Sequence, residues 1–262
     1  MMPRILAIGG SDSSGGAGIE ADIKTITMLG GHAMTAITAI TAQDSQGIMA
    51  IAPTAPDLVA RAIRMVAADI GLDAVKIGMI GTPDMLAAIV DALRPAAGSV
   101  PIVLDPVLAS TSGTTLLDPA ALGRLRDTLM PLVALVTPNR PEAAILTGLN
   151  VDTAPDIRAA GEALCRMGAG AALIKGGHFE GTHSIDHLVT PDRMTEFRMP
   201  RLATRHTHGT GCTLASAIAI GLARGLSPDD AIGQARKFLH AALLAAPGFG
   251  QGRGPLGHAA AR

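Results

Sequence analysis

The run "HGTGCT", His208 to Thr213, carries the strongest chemical signal in the chain. Gly209, Thr210 and Gly211 would open a long apolar helix, with the amides of Cys212 and Thr213 facing outward at its start. Successive N–H groups and the helix dipole together form an anion hole. Such a hole would receive the charge that develops on a transferred phosphoryl group. The plainer alternative is a glycine turn that enters a buried helix and holds no ligand. Cys212 raises a question of its own, because a carboxylate base would be expected at a phosphate site and none stands here.

Other segments offer partners for such a site. "GGSDSSGGAGIEADIK" has the glycines of a close-approach loop, and an anion would suit the helix start that follows. It is not a P-loop, because Gly10-x-x-x-x-Gly15 is followed by Gly16 rather than a lysine. Nor does the chain hold a Gly-x-Gly-x-x-Gly fingerprint. Asp22, on the first turns of the following helix, is either a solvated carboxylate or a catalytic one. In "TPNRPEA", Asn139 and Glu142 have the spacing of a helix capping arrangement. The same hard oxygens would also serve a Mg²⁺ ion or a phosphate. Lys175 in "LIKGGH" ends an apolar strand, where it would meet a phosphate or extend its charge to solvent. The pairs His206/His208 and His183/His187 lack the cysteine or carboxylate set of a zinc site. Cys165, within a helical pattern, reads as a small buried hydrophobe.

These residues need a scaffold, and short apolar runs alternating with helical periodicity supply one. "RILAIGG", "DAVKIGM", "PIVLDP", "LVALVTPN" and "AALIKGGH" read as strands. "PDLVARAIRMVAADIG" places Val59, Ile63, Val66 and Ile70 on one helical face, with Asp57 positioned to cap it. Thr82–Pro83, Asp118–Pro119 and Ser227–Pro228 have the cap-plus-proline form of helix starts. The succession predicts an α/β fold, a doubly wound, mostly parallel sheet with helices on both faces. "GGHAMTAITAITAQDSQGIMAIAP", within 31–52, alternates threonine with apolar residues and is expected to form a small β flap. "SIDHLVTPDRMTEFRMP" should make a hairpin at the far edge. With no linker or repeat, residues 1–262 are expected to form one domain. The turn motifs all follow strands, so they should converge at the carboxyl-end rim of the sheet.

Bulk properties exclude several functions. The 262 residues are 48% hydrophobic and 16% charged, with a mean hydropathy of +0.37, which suits a folded domain. Four Phe and no Trp or Tyr leave no stacking platform for nucleic acid. A net charge of −1 gives no electrostatic footprint for DNA or an anionic membrane surface. Two cysteines without a CxxC argue for a reducing compartment. No apolar run approaches the ~20 residues of a membrane span. A cytoplasmic protein is expected.

In order and spacing, "GSDSSGGAGIEADIKT", "TAITAQDSQGI", "VKIGMI", "VLDPV", "TPNRPEA", "IKGGH" and "HGTGCT" are similar to the hydroxymethylpyrimidine/phosphomethylpyrimidine kinases of the ribokinase superfamily. The resemblance covers nearly the whole chain. It implies a ribokinase-like fold, ATP with Mg²⁺, and phosphorylation of a hydroxymethyl aminopyrimidine and then of its monophosphate, in thiamine biosynthesis. By motif, Gln43 would bind the aminopyrimidine ring, and Gly10, Asp22, Met79 and Val107 would line its pocket. Lys175 would hold the transferring phosphate beside Gly209, Thr210, Gly211 and Asn139, with Asp105 and Glu142 on the metal side. Cys212 would take or relay the hydroxyl proton, assisted by Asp22. A helix N-terminus would lower its pKa from about 8.5 and supply some thiolate. The family pattern reads Ala-Gln-Asn where this chain has Asp44, a carboxylate that either faces the incoming phosphates or points to solvent. A homodimer is implied. A pyridoxal kinase of the same superfamily is the alternative. A sugar kinase would have aspartate at Cys212, and a non-catalytic nucleotide sensor would be expected to lose Lys175 or the "GTG" glycines.

Overall fold

The computed structural model describes residues 1–110, 113–176 and 181–261. Strand β1 (Arg4–Gly10) leads through α1 (Gly18–Met28) to β2 (His32–Gln43) and β3 (Ile48–Pro53). There follow α2 (Pro56–Asp69), β4 (Ala74–Ile77), α3 (Pro83–Leu93), β5 (Ile102–Leu104), α4 (Ala121–Arg124) and β6 (Leu135–Val136). The chain continues through α5 (Arg140–Thr147), α6 (Ala154–Arg166), β7 (Ala172–Ile174), β8 (His183–Val189) and β9 (Met194–Pro200). It ends with α7 (Thr210–Ala223) and α8 (Pro228–Leu244).

The strands form one sheet in the order β3-β2-β1-β4-β5-β6-β7-β8-β9. The six central strands, β2, β1, β4, β5, β6 and β7, are parallel, and at the edges β3 pairs antiparallel with β2, β8 with β7, and β9 with β8. Strand order reverses direction between β1 and β4, so a crevice opens beyond their carboxyl ends at Gly9–Gly10 and Gly78–Met79. The expected flap is more firmly anchored than its composition suggests. The first half of β2 pairs with β1 inside the main sheet, and only its second half, Ala39–Gln43, pairs with β3. The hairpin β8–β9 lies at the opposite edge, as expected.

Two apolar layers sandwich the sheet, and strand alternation decides which residue joins which. Leu6, Ile8, Val75 and Ile77 pack with Val59, Ile63, Met85 and Ile89 of α2 and α3. Ile5, Ala7, Ala74 and Val103 pack with α1, α7 and α8 through Ile26, Leu214, Ile218 and Ile232. By the same alternation Lys76 belongs to the α1/α7 layer, where an apolar residue would ordinarily stand.

The caps differ from expectation in two places. Thr82 accepts from the Met85 amide at 3.2 Å, and Ser227 from Asp230 at 3.2 Å. Asp57 does not cap α2, because the helix starts at Pro56 with Ala55 before it, leaving Asp57 in the first turn. Its carboxylate there favours the helix dipole only. Asp118 accepts from the Ala120 amide at 2.9 Å, but α4 begins only at Ala121 and widens into a π-helical turn over Leu125–Leu129. Of the α2 stripe, Val59 and Ile63 are buried, Val66 is half-buried, and Ile70 lies beyond the helix end, 38% exposed.

Candidate active site

Five strand ends and the mouth of α7 enclose a cavity of about 890 Å³. Gln43, Gly10, Met79, Val107, Asp105, Asn139, Glu142, Lys175, Gly209, Thr210, Gly211 and Cys212 all line it. Asp22 does not. It is fully enclosed behind the wall, so the expectation that it lines the pocket fails. Its place on the buried stripe of α1, with Ile19 and Ile26, turns it inward onto the sheet.

What Asp22 meets there is Lys76, a residue the motif reading passed over. Lys76 Nζ donates to Asp22 Oδ2 at 2.8 Å, and Ser216 Oγ donates to Asp22 Oδ1 at 2.8 Å. The Lys76 side chain is 1% exposed, yet it forms part of the cavity wall. Burial is the largest single influence and would lower its pKa, but Asp22, Cys212 and Asp105 together outweigh it and hold the ammonium above its ordinary value. A lysine inside an apolar strand, "AVKI", was the sequence signal for it.

The β1–α1 turn is organised by Asp12. Its carboxylate accepts from the amides of Ser14, Gly16 and Ala17 at 2.9, 3.0 and 2.7 Å, and from Ser14 Oγ at 2.8 Å. His208 Nε2 lies 2.8 Å from Asp12 Oδ2. Burial would raise the Asp12 pKa, but His208 and the amide donors hold it at about 2. The "GGSDSSGGAG" loop therefore feeds the Ser14, Gly16 and Ala17 amides to a carboxylate of its own. Gln43, at the end of β2, sits 3.2 Å from His208 Nε2. Asp44 is exposed, stays off the cavity wall and accepts from the amides of Gln46 and Gly47, so it serves the flap turn.

On the opposite wall, Lys175 Nζ donates to Asp105 Oδ1 at 2.6 Å. Asn139 and Glu142 form the capping box that their spacing allowed, with Glu142 donating its amide to Asn139 Oδ1 at 2.9 Å. Both also line the cavity, so the structural and chemical readings of this motif coexist. Burial, opposed by Lys175 and reinforced by Asp105, pushes the Glu142 carboxyl up to about 7. Gly177 and His178 of "IKGGH" lie outside the described residues.

Gly209 precedes α7 with φ 86°, and a side chain there would overlap the Gly16 carbonyl oxygen. No side chain caps the helix, and among the described residues the Gly211 and Cys212 amides have no backbone acceptor. Open amides at a helix start are donors that an anion can engage. The expected thiolate, however, is absent. Burial, with Asp22 and Asp105 nearby, pushes the Cys212 thiol up to about 11 against the opposing pull of Lys76. Helix dipoles lower a thiol pKa at a solvated terminus, and here desolvation outweighs the dipole. Cys165 is half-buried rather than buried, with Sγ 3.7 Å from the Val189 carbonyl oxygen.

Among the described residues, no group of three or more His, Cys, Asp or Glu is placed to hold a metal, and no helix is long and apolar enough to cross a membrane. A second buried ion pair, Arg236 with Asp186, stands where the cavity passes β8 and α8. Asp186 also accepts from the Gly176 amide at 2.8 Å, which fixes the backbone just after Lys175.

The backbone matches that of a Bacillus subtilis pyridoxal kinase solved as an ADP complex, with a TM-score of 0.91, 32% identity, and coverage of 99% of this chain and 98% of that one. The fold is thus that of the ribokinase-like small-molecule kinases. A Clostridium difficile phosphomethylpyrimidine kinase superposes with a TM-score of 0.80 at 37% identity, over 91% of this chain and 98% of that one. A family model described as phosphomethylpyrimidine kinase matches residues 12–257. A Rhizobium meliloti hydroxymethylpyrimidine/phosphomethylpyrimidine kinase is 45% identical over 257 residues, which is 97% of this chain and 96% of the relative. The chain belongs to the phosphomethylpyrimidine kinase family.

Proposed function

We propose that this protein transfers the γ-phosphoryl group of ATP to the hydroxymethyl group of an aminopyrimidine, and then to the resulting monophosphate, in thiamine biosynthesis. The observation that carries this is the continuity of one cavity from Gln43 and Met79 to the open amides of Gly211 and Cys212. An acceptor ring and a phosphate chain fit end to end in such a space. Gln43 offers a donor and an acceptor to a ring nitrogen beside an amino group. Gly10, Met79 and Val107 form the apolar walls around the ring. Lys175, beside the glycine amides and Asn139, faces the transferring phosphate.

Asp105 and Glu142 suit Mg²⁺, because that ion prefers one or two carboxylates together with phosphate oxygens and water. When bound, it would neutralise charge on the phosphate chain. The nucleotide base fits the apolar wall of Met199, Leu202, Leu239 and Leu243.

Cys212 is a neutral thiol, so a proton relay describes it better than a standing base. As the acceptor hydroxyl proton moves to sulfur, the S–H proton passes to an oxygen of the transferred phosphoryl group. Asp22 acts on this step from behind the wall, by holding Lys76 and through its charge near the thiol. We further propose a single cytoplasmic domain that pairs as a homodimer through the flap, whose Ile40 and Met49 are 53% and 93% exposed.

The test is ADP release with hydroxymethylpyrimidine and, separately, with its monophosphate. Turnover of neither would sink the proposal. A second reading, phosphorylation of a pyridoxal-type alcohol, draws on the likeness to the Bacillus subtilis enzyme. Competition between the two alcohols in the same assay separates them.

A further inference from the structure

Lys76 is a costly residue in its position. Taking an ammonium out of water is repaid only when all its protons find acceptors, and an apolar pair of similar volume is often as stable or more so. Here the account stays open. Asp22 takes one proton of Nζ, and among the described residues no other acceptor is present. Asp22 itself is satisfied, with its second oxygen occupied by Ser216.

The remaining ammonium protons belong to a group that forms part of the cavity wall. Gly78 leaves room beside the group, because a Cβ there would lie 2.8 Å from Lys76 Nζ. Gly211 does the same for Lys175, whose Nζ would lie 3.4 Å from a Cβ at that position. Two lysines, each held by one carboxylate and each with a glycine beside its ammonium, therefore line a single cavity. Lys175 stands against Asp105 at the mouth of α7. Lys76 stands toward the pyrimidine end, two residues before Gly78 and three before Met79.

We propose that Lys76 binds the phosphate of the monophosphate acceptor and so makes the second phosphorylation possible. The inference rests on the reading of the protein as a kinase that uses both acceptors. An alcohol acceptor brings no charge to the space between the ring and Cys212. A monophosphate brings an anion there, while ATP brings another on the Lys175 side. Two anions in one enclosed cavity need two cations. In the second transfer, an ionised phosphate oxygen of the acceptor attacks the γ-phosphorus. A new O–P bond forms, the bridging P–O bond of ATP breaks, and its electron pair leaves with ADP. No proton is released, and Lys76 stays protonated throughout.

The experiment compares both acceptors in wild type, in the charge-balanced double variant Lys76→Met with Asp22→Asn, and in Gly78→Ala. The double variant removes both buried charges together, so neither is left unpaired. Gly78→Ala leaves both charges in the protein and crowds the ammonium with a methyl group, since a Cβ there would lie 2.8 Å from Nζ. In each variant kcat/KM for the monophosphate should fall about 10- to 100-fold more than kcat/KM for the alcohol, the scale of one charge-assisted hydrogen bond. KM for ATP should stay within about twofold. A merely structural role would depress both acceptors alike, so equal losses, or none, in a folded variant overturn the assignment and leave the kinase reading intact. Failure of wild type to turn over either acceptor removes both.

Discussion

Lys175 Nζ lies 2.6 Å from Asp105 Oδ1, and the α7 mouth is built around that pair. A Cβ on Gly211 would come within 2.9 Å of Asp105 Oδ2 and 3.4 Å of Lys175 Nζ. Gly211→Ala should therefore displace the charges without harming the helix, where alanine is favoured over glycine by about 1 kcal/mol. Expected is a kcat loss of about tenfold or more with little change in Tm. Gly209→Ala differs, because φ there is 86° and the methyl group would meet the Gly16 carbonyl. It should lose about 2 kcal/mol or more of stability. Thermal denaturation beside steady-state kinetics distinguishes the two, and loss of Tm in Gly211→Ala would refute the assignment.

The Cys212 thiol, pushed up to about 11, is protonated at neutral pH. Its alkylation by iodoacetamide, followed on the Cys212 peptide, should quicken about tenfold per pH unit through pH 9 without a plateau. A plateau below pH 8 would restore the resting thiolate. A relay is needed only where the acceptor must lose a proton. Cys212→Ala should thus slow phosphorylation of the alcohol by about 10²-fold, the usual scale of acid–base assistance, and affect the monophosphate far less. This selectivity is the reverse of that expected for Lys76.

How much of this was legible in the sequence depended on what each residue does. Cap-plus-proline starts at Thr82 and Ser227 are local, and they formed as read. The rim motifs converged because strand–turn–helix order fixes where strand ends lie. Asp22 was misplaced because an i, i+4 stripe says that a residue is buried but not which partner buries it. Lys76 was overlooked for the same reason, since its partner Asp22 is 54 residues before it, and Ser216, which shares that carboxylate, is 140 after it. Cys212 was misjudged electrostatically. A helix N-terminus can be read from spacing, whereas desolvation depends on α1 and the sheet closing over it.

His258 links the C-terminal segment to α7, with Nε2 2.8 Å from Thr213 Oγ1 and the side chain almost fully buried. Burial, with Lys24 nearby, lowers its pKa from 6.5 to about 4. The folded state thus holds the neutral ring where the unfolded chain would already take a proton. Stability should fall as pH drops from 6.5 to about 4, by on the order of 3 kcal/mol, and then level off. His258→Gln should flatten that slope. Urea midpoints at pH 4.5 and 7 for both proteins measure it, and parallel losses would assign the slope to other groups.

Gln43 gives the sharpest test of acceptor recognition. Asp12, with a pKa held at about 2, is an acceptor only, so His208 Nε2 must carry the proton that joins them at 2.8 Å. That proton leaves Nε2 with no lone pair for Gln43, 3.2 Å away. The amide oxygen is then the better neighbour of His208, and the amide nitrogen the better neighbour of Thr41 Oγ1, whose proton goes to the Ser11 carbonyl. One N–H and one lone pair of Gln43 remain for an aminopyrimidine edge. Gln43→Glu keeps the shape and removes the donor, and the site's buried partners make that omission costly. KM for the pyrimidine alcohol should rise about 10- to 100-fold while KM for ATP holds. Asp12→Asn frees the His208 proton from its fixed direction and should raise the same KM by a smaller factor. A fall in kcat with both KM values unchanged in Gln43→Glu would remove Gln43 from ring recognition and return it to the flap as a structural residue.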